Sequence, residues 1–570
     1  MTRQSVHSLA FAILSAFVAP VCAAQTPDEL TQQRAGYDVV VAKGILDLQP
    51  FRATTTVVDS ATGRQVKLVS LNPAVNAWFL LQIETTKAGI FDSFHLENPR
   101  PERQGVRLEN AAEPVLIFDD GGAGCALLSD GGELLRARKS GLPYAPVCGG
   151  HLYLRNRVSG SRTNLEAMAE FVRDNVWGGE NIVRIVRDTL FSDAQLEPSD
   201  RVGTSEQVSA AAGPAPMKVS GKFAAYPAIT TLFDIGLTGA GPGRMALGLW
   251  YPVTRRDGVF ASAFQPQAAG EGAGRVDALD AVERKATGYM VAFDLGLHDL
   301  GFALGTDHPS LGWSGRPPAS IRPSGLPGPD GVGKATPLVK LGMVNPALAA
   351  RTVATFTGGF KRHHGAFKYS DKATSNYGHH YGFIENGVIF SKLQPGLSTL
   401  LVLIDGTVRM KTWTREDDAL LPHIRFARQN GVPLIEDGMP GAHVMQWGAG
   451  NWSGSANAKL RTLRAGACIA RTDDTTYLLY GYFSTATPSA MAKVFQGYGC
   501  DYAMLLDMNA LEHTYLAVYT RGEGAMEVGH IVPGMGLIDK KARDGTLIPR
   551  FLGYADNRDF FYLTRKGVIR

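Results

Sequence analysis

Thr475-Thr-Tyr-Leu-Leu-Tyr-Gly-Tyr-Phe483, followed by Thr487-Pro488, by Ala490 to Tyr498 with Gly499 behind them, and by Tyr502-Ala-Met-Leu-Leu506 running into Asp507, is the stretch whose reading decides the fold. Its first part is a β run rich in aromatic residues. Thr487 and Pro488 start a helix, because the threonine hydroxyl can cap free N–H groups and a proline at the first helical position forfeits no hydrogen bond. Gly499 ends that helix, and Tyr502 to Leu506 has the wholly apolar character of a buried strand. A strand, helix, strand unit predicts a right-handed crossover between parallel strands. Asp507 then emerges at the carboxyl end of a central strand, where open α/β sheets place their ligand crevices.

Upstream, Arg351-Thr-Val-Ala-Thr-Phe reads as a strand entering Thr357-Gly358-Gly359-Phe360, whose paired glycines let the backbone approach a ligand or another chain segment closely. Two histidine doublets follow, His363-His364 and His379-His380. Adjacent side chains on a strand point to opposite faces, so each doublet offers at most one ring to a site. Leu400-Leu-Val-Leu-Ile before Asp405-Gly406, and Val432-Pro-Leu-Ile before Asp437-Gly438, read as strands that end in turns.

Further out, 25–195 predicts a β-rich domain with a helical end. Val115-Leu-Ile-Phe and Tyr37-Asp-Val-Val-Val-Ala are among its strands, Thr163 and Glu166 form a capping box, and Ile182 to Leu190 is a second helical segment. Asp119-Asp-Gly-Gly and Asp130-Gly-Gly read as turns. A linker rich in Ser, Ala, Gly and Pro covers 196–219, a β-rich region with strands at Arg244 to Tyr251 and Gly288 to Phe293 covers 220–345, and a final domain covers 346–570. Residues 311–334 form a Gly/Pro loop. Within it Gly328-Pro-Asp-Gly-Val-Gly333-Lys334-Ala335 falls short of a phosphate-binding loop, since Ala335 replaces the magnesium-holding hydroxyl and no apolar strand precedes it. The expected fold class is α+β or mixed α/β: a β-rich N-terminal half, then a C-terminal domain with a central mixed sheet flanked by helices.

The chain opens with Arg3, an apolar run from Leu9 to Val21, and small residues at Ala23 and Ala24. That is the layout of a cleavable secretory signal over residues 1–24. The run is shorter than the ~20 residues needed to span a bilayer, so an exported protein, periplasmic or secreted, with no integral membrane segment is expected. Pro20 and Val21 before Cys22 depart from a lipoprotein signal. Of five cysteines, the four beyond the signal fall into two separated groups, and chain proximity in an oxidising compartment predicts bridges Cys125–Cys148 and Cys468–Cys500. A net charge of +4 spread over 570 residues, without a basic run, argues against a nucleic-acid partner.

Between about residues 350 and 520 the chain resembles the phosphodiester glycosidases related to the uncovering enzyme, N-acetylglucosamine-1-phosphodiester α-N-acetylglucosaminidase. Thr357-Gly-Gly-Phe360 is similar to that family's Asn-Gly-Gly-Phe, and the pieces ending at Gly406 and Gly438 to its strand and turn units. Arg464-Ala-Gly-Ala-Cys-Ile is similar to its Arg-Thr-Ala-Ile-Gly, and Gly499-Cys-Asp-Tyr-Ala-Met-Leu-Leu-Asp507 to its Gly-Cys-x-x-Ala-Leu-Asn-Leu-Asp. The family continues with a Gly-Gly-Gly-Ser turn, whereas this chain reads Met508-Asn509-Ala510-Leu511-Glu512-His513, and Thr357 and Leu505 stand where asparagines are usual.

The resemblance implies cleavage of a sugar to phosphate linkage, which passes through an oxocarbenium-like state and ordinarily needs two carboxylates. Phosphate leaves readily, so a cation that receives it matters more than a strong acid, and the planar fork of arginine suits that task. The resemblance places Asp507 as nucleophile or base and Arg464 as the cation. Glu512, His513 and His364 are the further acid–base candidates, and Gly358, Gly359 and Asn509 are candidates for binding substrate. No cofactor is expected, with a divalent metal left open through the histidines. Two functions stand beside each other: an exported glycosidase-like hydrolase of a sugar phosphodiester or related envelope glycan, and a non-catalytic envelope glycan-binding or polysaccharide-assembly protein.

Overall fold

The structure is a computed structural model that describes residues 42–119, 121, 124–128, 132–175, 195–197, 227–241, 243–270, 272–312, 332–360, 381–445, 460–521 and 526–567. The signal 1–24, residues 37–41, the helical segment 182–190, most of the linker 196–219, residues 313–331 of the Gly/Pro loop, Asp120, Asp130, and His363, His364, His379 and His380 lie outside the described residues.

The N-terminal part contains β1 (Ala53–Val58), β2 (Gln65–Ser70), β3 (Trp78–Glu84), β4 (Phe91–Glu97), β5 (Val106–Asn110), β6 (Pro114–Phe118), β7 (Cys125–Ala126), α1 (Glu133–Lys139), β8 (Tyr144–Val147), β9 (Leu152–Arg155) and α2 (Asn164–Asn175). One sheet runs β1-β2-β3-β4-β9-β8 and a second runs β5-β6-β7. Because side chains alternate across a strand, β3 serves two cores. Phe79 and Leu81 join Leu68, Phe94 and Leu116 in a local core, while Trp78 and Leu80 face the core of the rest of the molecule. Cys125 and Cys148 are bridged beside the local core, and Glu133 of α1 accepts a hydrogen bond from the Cys148 amide (2.9 Å).

The remainder contains β10 (Ala228–Thr230), β11 (Arg244–Ala246), β12 (Tyr251–Pro252), β13 (Val259–Phe264), β14 (Gly288–Asp294), β15 (His298–Ala303), α3 (Pro346–Ala349), β16 (Thr352–Thr357), β17 (Phe383–Glu385), β18 (Val388–Ser391), β19 (Ser398–Leu403), β20 (Val408–Thr412), β21 (Ile424–Gln429), β22 (Pro433–Glu436), β23 (Met439–Pro440) and β24 (Thr462–Arg471). They are followed by β25 (Thr476–Ala486), α4 (Pro488–Gly497), β26 (Cys500–Met508), β27 (Leu516–Arg521), β28 (Met526–His530), the short pair β29 (Lys540–Lys541) and β30 (Leu547–Ile548), and β31 (Phe560–Arg565). The large sheets run β12-β13-β14-β25-β24-β26-β22-β23, β15-β31-β16-β27-β28 and β18-β17-β21-β19-β20. Phe356 of β16 meets Tyr480 of β25 at 5.3 Å, and Phe426 of β21 meets Tyr562 of β31 at 6.4 Å, so the middle sheet packs against both others. On the eight-stranded sheet, Gly466 leaves room for Met491 and Phe495 of α4.

This architecture corrects the expected fold class. Every pairing between the described strands is antiparallel, and the chain is β-rich throughout rather than a mixed α/β domain with a central sheet flanked by helices. The elements of the deciding stretch form where predicted: Thr487 caps α4 by accepting from the Ala490 amide (3.2 Å), with Pro488 next to it. The two strands that α4 joins run parallel as expected but are not neighbours, because β24 lies between β25 and β26 and runs antiparallel to both. The Cys468–Cys500 bridge ties β24 to β26. Arg244 to Tyr251 is two short strands rather than one, broken where Gly248 takes φ +75°. Strand β14, from the 220–345 region, pairs along its length with β25.

A buried ionic network joins the N-terminal sheet to the rest. Arg155 of β9 is an ion-pair partner of Glu97 on β4 and of Glu385 on β17 (3.4 Å to Oε1), and its guanidinium lies 4.2 Å from the Trp78 ring. Glu97 also accepts from Asn345 (2.6 Å), and Glu385 from the Leu304 amide (2.9 Å). Burial pushes the Glu385 carboxyl up to about 7 despite the pull of Arg155.

Candidate functional site

Asp507 is the penultimate residue of β26, buried at 4% exposure. Its Oδ2 accepts from Arg558 Nη1 (2.9 Å) and its Oδ1 from the Met508 amide (2.8 Å). Arg558 is the hub of the site. Its Nη2 donates to Glu166 Oε1 (2.7 Å) and to His513 Nε2 (2.7 Å), and its amide to Asp556 Oδ1 (2.9 Å). Burial disfavours the guanidinium charge, yet Glu166 and Asp507 outweigh burial and raise its affinity for the proton.

His513 has its tautomer fixed by these partners. Nδ1 faces the Met508 carbonyl (2.9 Å), which only accepts, so Nδ1 carries the proton. Nε2 faces a guanidinium N–H, which only donates, so Nε2 presents its lone pair. The ring is therefore neutral as placed.

Glu166 stands at the position the capping box predicts, and its amide donates to Thr163 Oγ1 (3.1 Å). Its carboxylate does not turn back to close the box. It reaches instead to Arg558 and to Asn557 Nδ2 (3.1 Å), with His308 Nε2 3.6 Å away. Burial opposes ionisation of Glu166, but the charge of Arg558 and the hydrogen bond from Asn557 hold the carboxyl far below the usual carboxylate range.

Asp559, next to the hub, accepts from Arg428 Nε (2.8 Å), and burial pushes its carboxyl up against the pull of that arginine. The backbone of 556–559 is packed so closely that glycine alone fits around it. A Cβ on Gly342 would lie 2.0 Å from the Asp556 carbonyl oxygen, and one on Gly358 would lie 2.5 Å from Asp559 Oδ2. Gly359 lies against Asn430, whose Nδ2 donates to the carbonyls of Leu505 (2.6 Å) and Leu506 on the strand that carries Asp507. The Gly358-Gly359 pair thus admits this chain's own Asp559 and Asn430.

The other candidates take different places. Arg464 is fully buried and donates to the carbonyls of Ala486 (2.8 Å) and Leu460 (2.9 Å) and to Met508 Sδ (3.3 Å); it is Arg558 that holds Asp507. Glu512 accepts from Thr163 Oγ1 (3.2 Å), and its carbonyl accepts from Arg550 Nη1 (2.7 Å), which fixes the turn bearing His513. Arg550 is itself clamped on both oxygens of Asp556 (2.8 and 2.9 Å). Asn509 takes φ +80° where the chain leaves β26, with its Oδ1 accepting from Thr462. Glu166, Arg558 and Asp559 escape the sequence reading; the signal that carries two of them is the run Asp556-Asn-Arg-Asp559 directly before the apolar Phe560-Phe-Tyr-Leu563.

Several polar atoms of this cluster find no hydrogen-bond partner among the described residues: Glu166 Oε2, Asn430 Oδ1, Asn557 Oδ1, Asp559 Oδ1 and Arg558 Nε. Each such group left dry costs about 1–3 kcal/mol, and their grouping around Arg558 makes this network the candidate site. Among the described residues, the side chains whose ligand atoms converge closely enough for a metal are Cys125, Glu133 and Cys148. The two sulfurs are joined in the disulfide and are not thiolate ligands. No described helix is long and apolar enough to cross a membrane.

No known protein family and no curated protein matches the chain. Among solved structures, similarity is found to a hypothetical protein from Synechocystis, with 9% identity over 90% of this chain and 97% of that one and a TM-score of 0.25. A second is the "Putative exported protein" of Burkholderia pseudomallei K96243, with 10% identity over 49% of this chain and 74% of that one and a TM-score of 0.19. At scores this low neither likeness bears on fold or function.

Proposed function

We propose that the protein is an exported glycosidase-like hydrolase acting on a sugar phosphodiester or a related envelope glycan. The observation that carries this reading is the attachment of two carboxylates, Asp507 and Glu166, to the two arms of one guanidinium, with a neutral histidine beside them. One planar fork holds both carboxylates, and a pair of carboxylates is what cleavage at an anomeric carbon ordinarily uses. In this reading Asp507 acts on the anomeric carbon, Glu166 supplies the second carboxylate, and the lone pair of His513 Nε2 accepts a proton. Arg558 holds both carboxylates in place, and its Nε–H, without a partner among the described residues, is left to donate to a substrate oxygen. The two disulfides and the signal-like leader support an oxidising compartment outside the cytoplasm.

A glycan-binding role without catalysis is favoured by one observation: both oxygens of Asp507 are already engaged, by Arg558 and by the Met508 amide. One experiment separates the two. Mature protein is incubated with synthetic sugar phosphodiesters, and release of free sugar is followed for wild type, Asp507→Asn and Glu166→Gln. Release by wild type that falls by at least about 100-fold in both variants supports the hydrolase. Release that survives Asp507→Asn removes that residue from the mechanism, and binding without release establishes the second reading.

A further inference from the structure

The unpartnered atoms of the cluster differ in kind. Four are acceptor oxygens, Glu166 Oε2, Asn430 Oδ1, Asn557 Oδ1 and Asp559 Oδ1, and one is a donor, Arg558 Nε. The amide orientations are fixed, not arbitrary. Asn430 Nδ2 faces two carbonyl oxygens and Asn557 Nδ2 faces the Glu166 carboxylate, so in both residues the oxygen is the atom left over. The residues are 0–6% exposed, and they belong to the network that ties Arg558 to Glu166 and Asp507 and that places Asn430 on the backbone of β26.

A set of buried acceptors calls for donors. A phosphodiester anion offers none, and any anion would meet the carboxyl groups of Glu166 and Asp559. A cation needs converging ligands, and no three Asp, Glu or His ligand atoms here lie within 4.8 Å of one another among the described residues. A third class fits: an uncharged polyhydroxylated ring, whose O–H groups donate to carboxylate and amide oxygens while a ring or bridging oxygen accepts from Arg558 Nε.

We propose that Glu166, Asn430, Asn557 and Asp559 form the subsite for the neutral sugar unit, which they recognise through its hydroxyl hydrogens, and that the cluster is neither a phosphate site nor a metal site. This rests on the reading of the cluster as the substrate site and assigns which half of the substrate it reads. The test uses the mature full-length protein and N-acetylglucosamine as a neutral probe, with inorganic phosphate and calcium chloride as the charged alternatives. Titration calorimetry should detect the sugar, and neither salt should displace it. The near-isosteric Glu166→Gln and Asp559→Asn, each exchanging an acceptor oxygen for an amide, should each weaken sugar binding about 10-fold.

A crystal structure of wild type soaked in the sugar decides the matter even if both variants fail to fold. Hydroxyl oxygens within hydrogen-bond distance of the four acceptors are expected. Ordered water only, a bound cation, phosphate there, or sugar held elsewhere overturns the proposal. Sugar bound as described without any hydrolysis of phosphodiesters leaves this subsite standing and removes the hydrolase; hydrolysis with the sugar elsewhere does the reverse.

Discussion

Replacing Arg558 by methionine keeps most of the side-chain volume and removes the charge that serves Asp507, Glu166 and His513 together. Removing one partner of a buried ion pair costs about 3–5 kcal/mol, because the other charge is left uncompensated. Here two buried carboxylates lose their common cation, so a loss at or above the top of that range is expected at pH 8. The loss should shrink on acidification, and the sign follows from linkage. In wild type the Glu166 pKa is depressed below its unfolded value of 4.5, so its contribution is present above pH 4.5 and disappears only as pH falls through the depressed value. In the variant, burial without Arg558 lifts that pKa above 4.5, so Glu166 becomes a liability that grows as pH rises. Denaturant unfolding of both proteins at pH 5 and pH 8 measures the difference. Arg558→Lys, which keeps the charge but not the fork, should fall between them. A loss under about 1 kcal/mol, or one equal at both pH values, would refute the claim that Arg558 is the hub of a desolvated charge cluster.

Burial that lifts Glu385 to about 7 predicts that its contribution makes wild type lose stability as pH rises from about 4.5 to 7, with no further change from this group above that; Glu385→Gln should flatten this part of the pH profile of the melting temperature. Gly358→Ala puts a methyl 2.5 Å from Asp559 Oδ2 and should destabilise by about 1–3 kcal/mol, read in thermal melts, whereas Gly63→Ala, which meets nothing within 4 Å, tests how much of that comes from close contact, allowing for the strain of its φ of +72°. Joint replacement of Cys468 and Cys500 by serine opens a loop with a sequence separation of 32 and should cost about 4 kcal/mol by loop entropy, visible as a lower unfolding midpoint.

Local structure was legible where one short stretch contains its own instructions. Thr487, Pro488 and Gly499 bracket α4 by cap chemistry, and Asp437 and Gly438, both with positive φ, make the turn between β22 and β23. What was hidden was the neighbour of each strand. Nothing within Thr476–Ala486 or Cys500–Met508 announces that β24 will lie between them, so two strands that do run parallel are not paired, and each meets β24 as an antiparallel neighbour.

The site divided in the same way. Asp507 and His513 sit together in sequence and could be seen. Glu166 read as a capping residue because its amide is one, while the destination of its carboxylate lies 392 residues away at Arg558. Arg464 and Arg558 are both buried arginines, and only the packing of 556–559 beneath Gly342 and Gly358 decides which of them meets Asp507.

The Arg155 network sets where this chain can be cut. A version trimmed to begin after β9 would lose Arg155 and Glu97 and leave Glu385 with the Leu304 amide as its remaining hydrogen-bond donor. Leu304 precedes Gly305, which is packed on the backbone of Arg558. The N-terminal sheet is thus an internal brace for the charge cluster, and a search for a smaller working unit should start by neutralising Glu385 rather than by deleting the sheet.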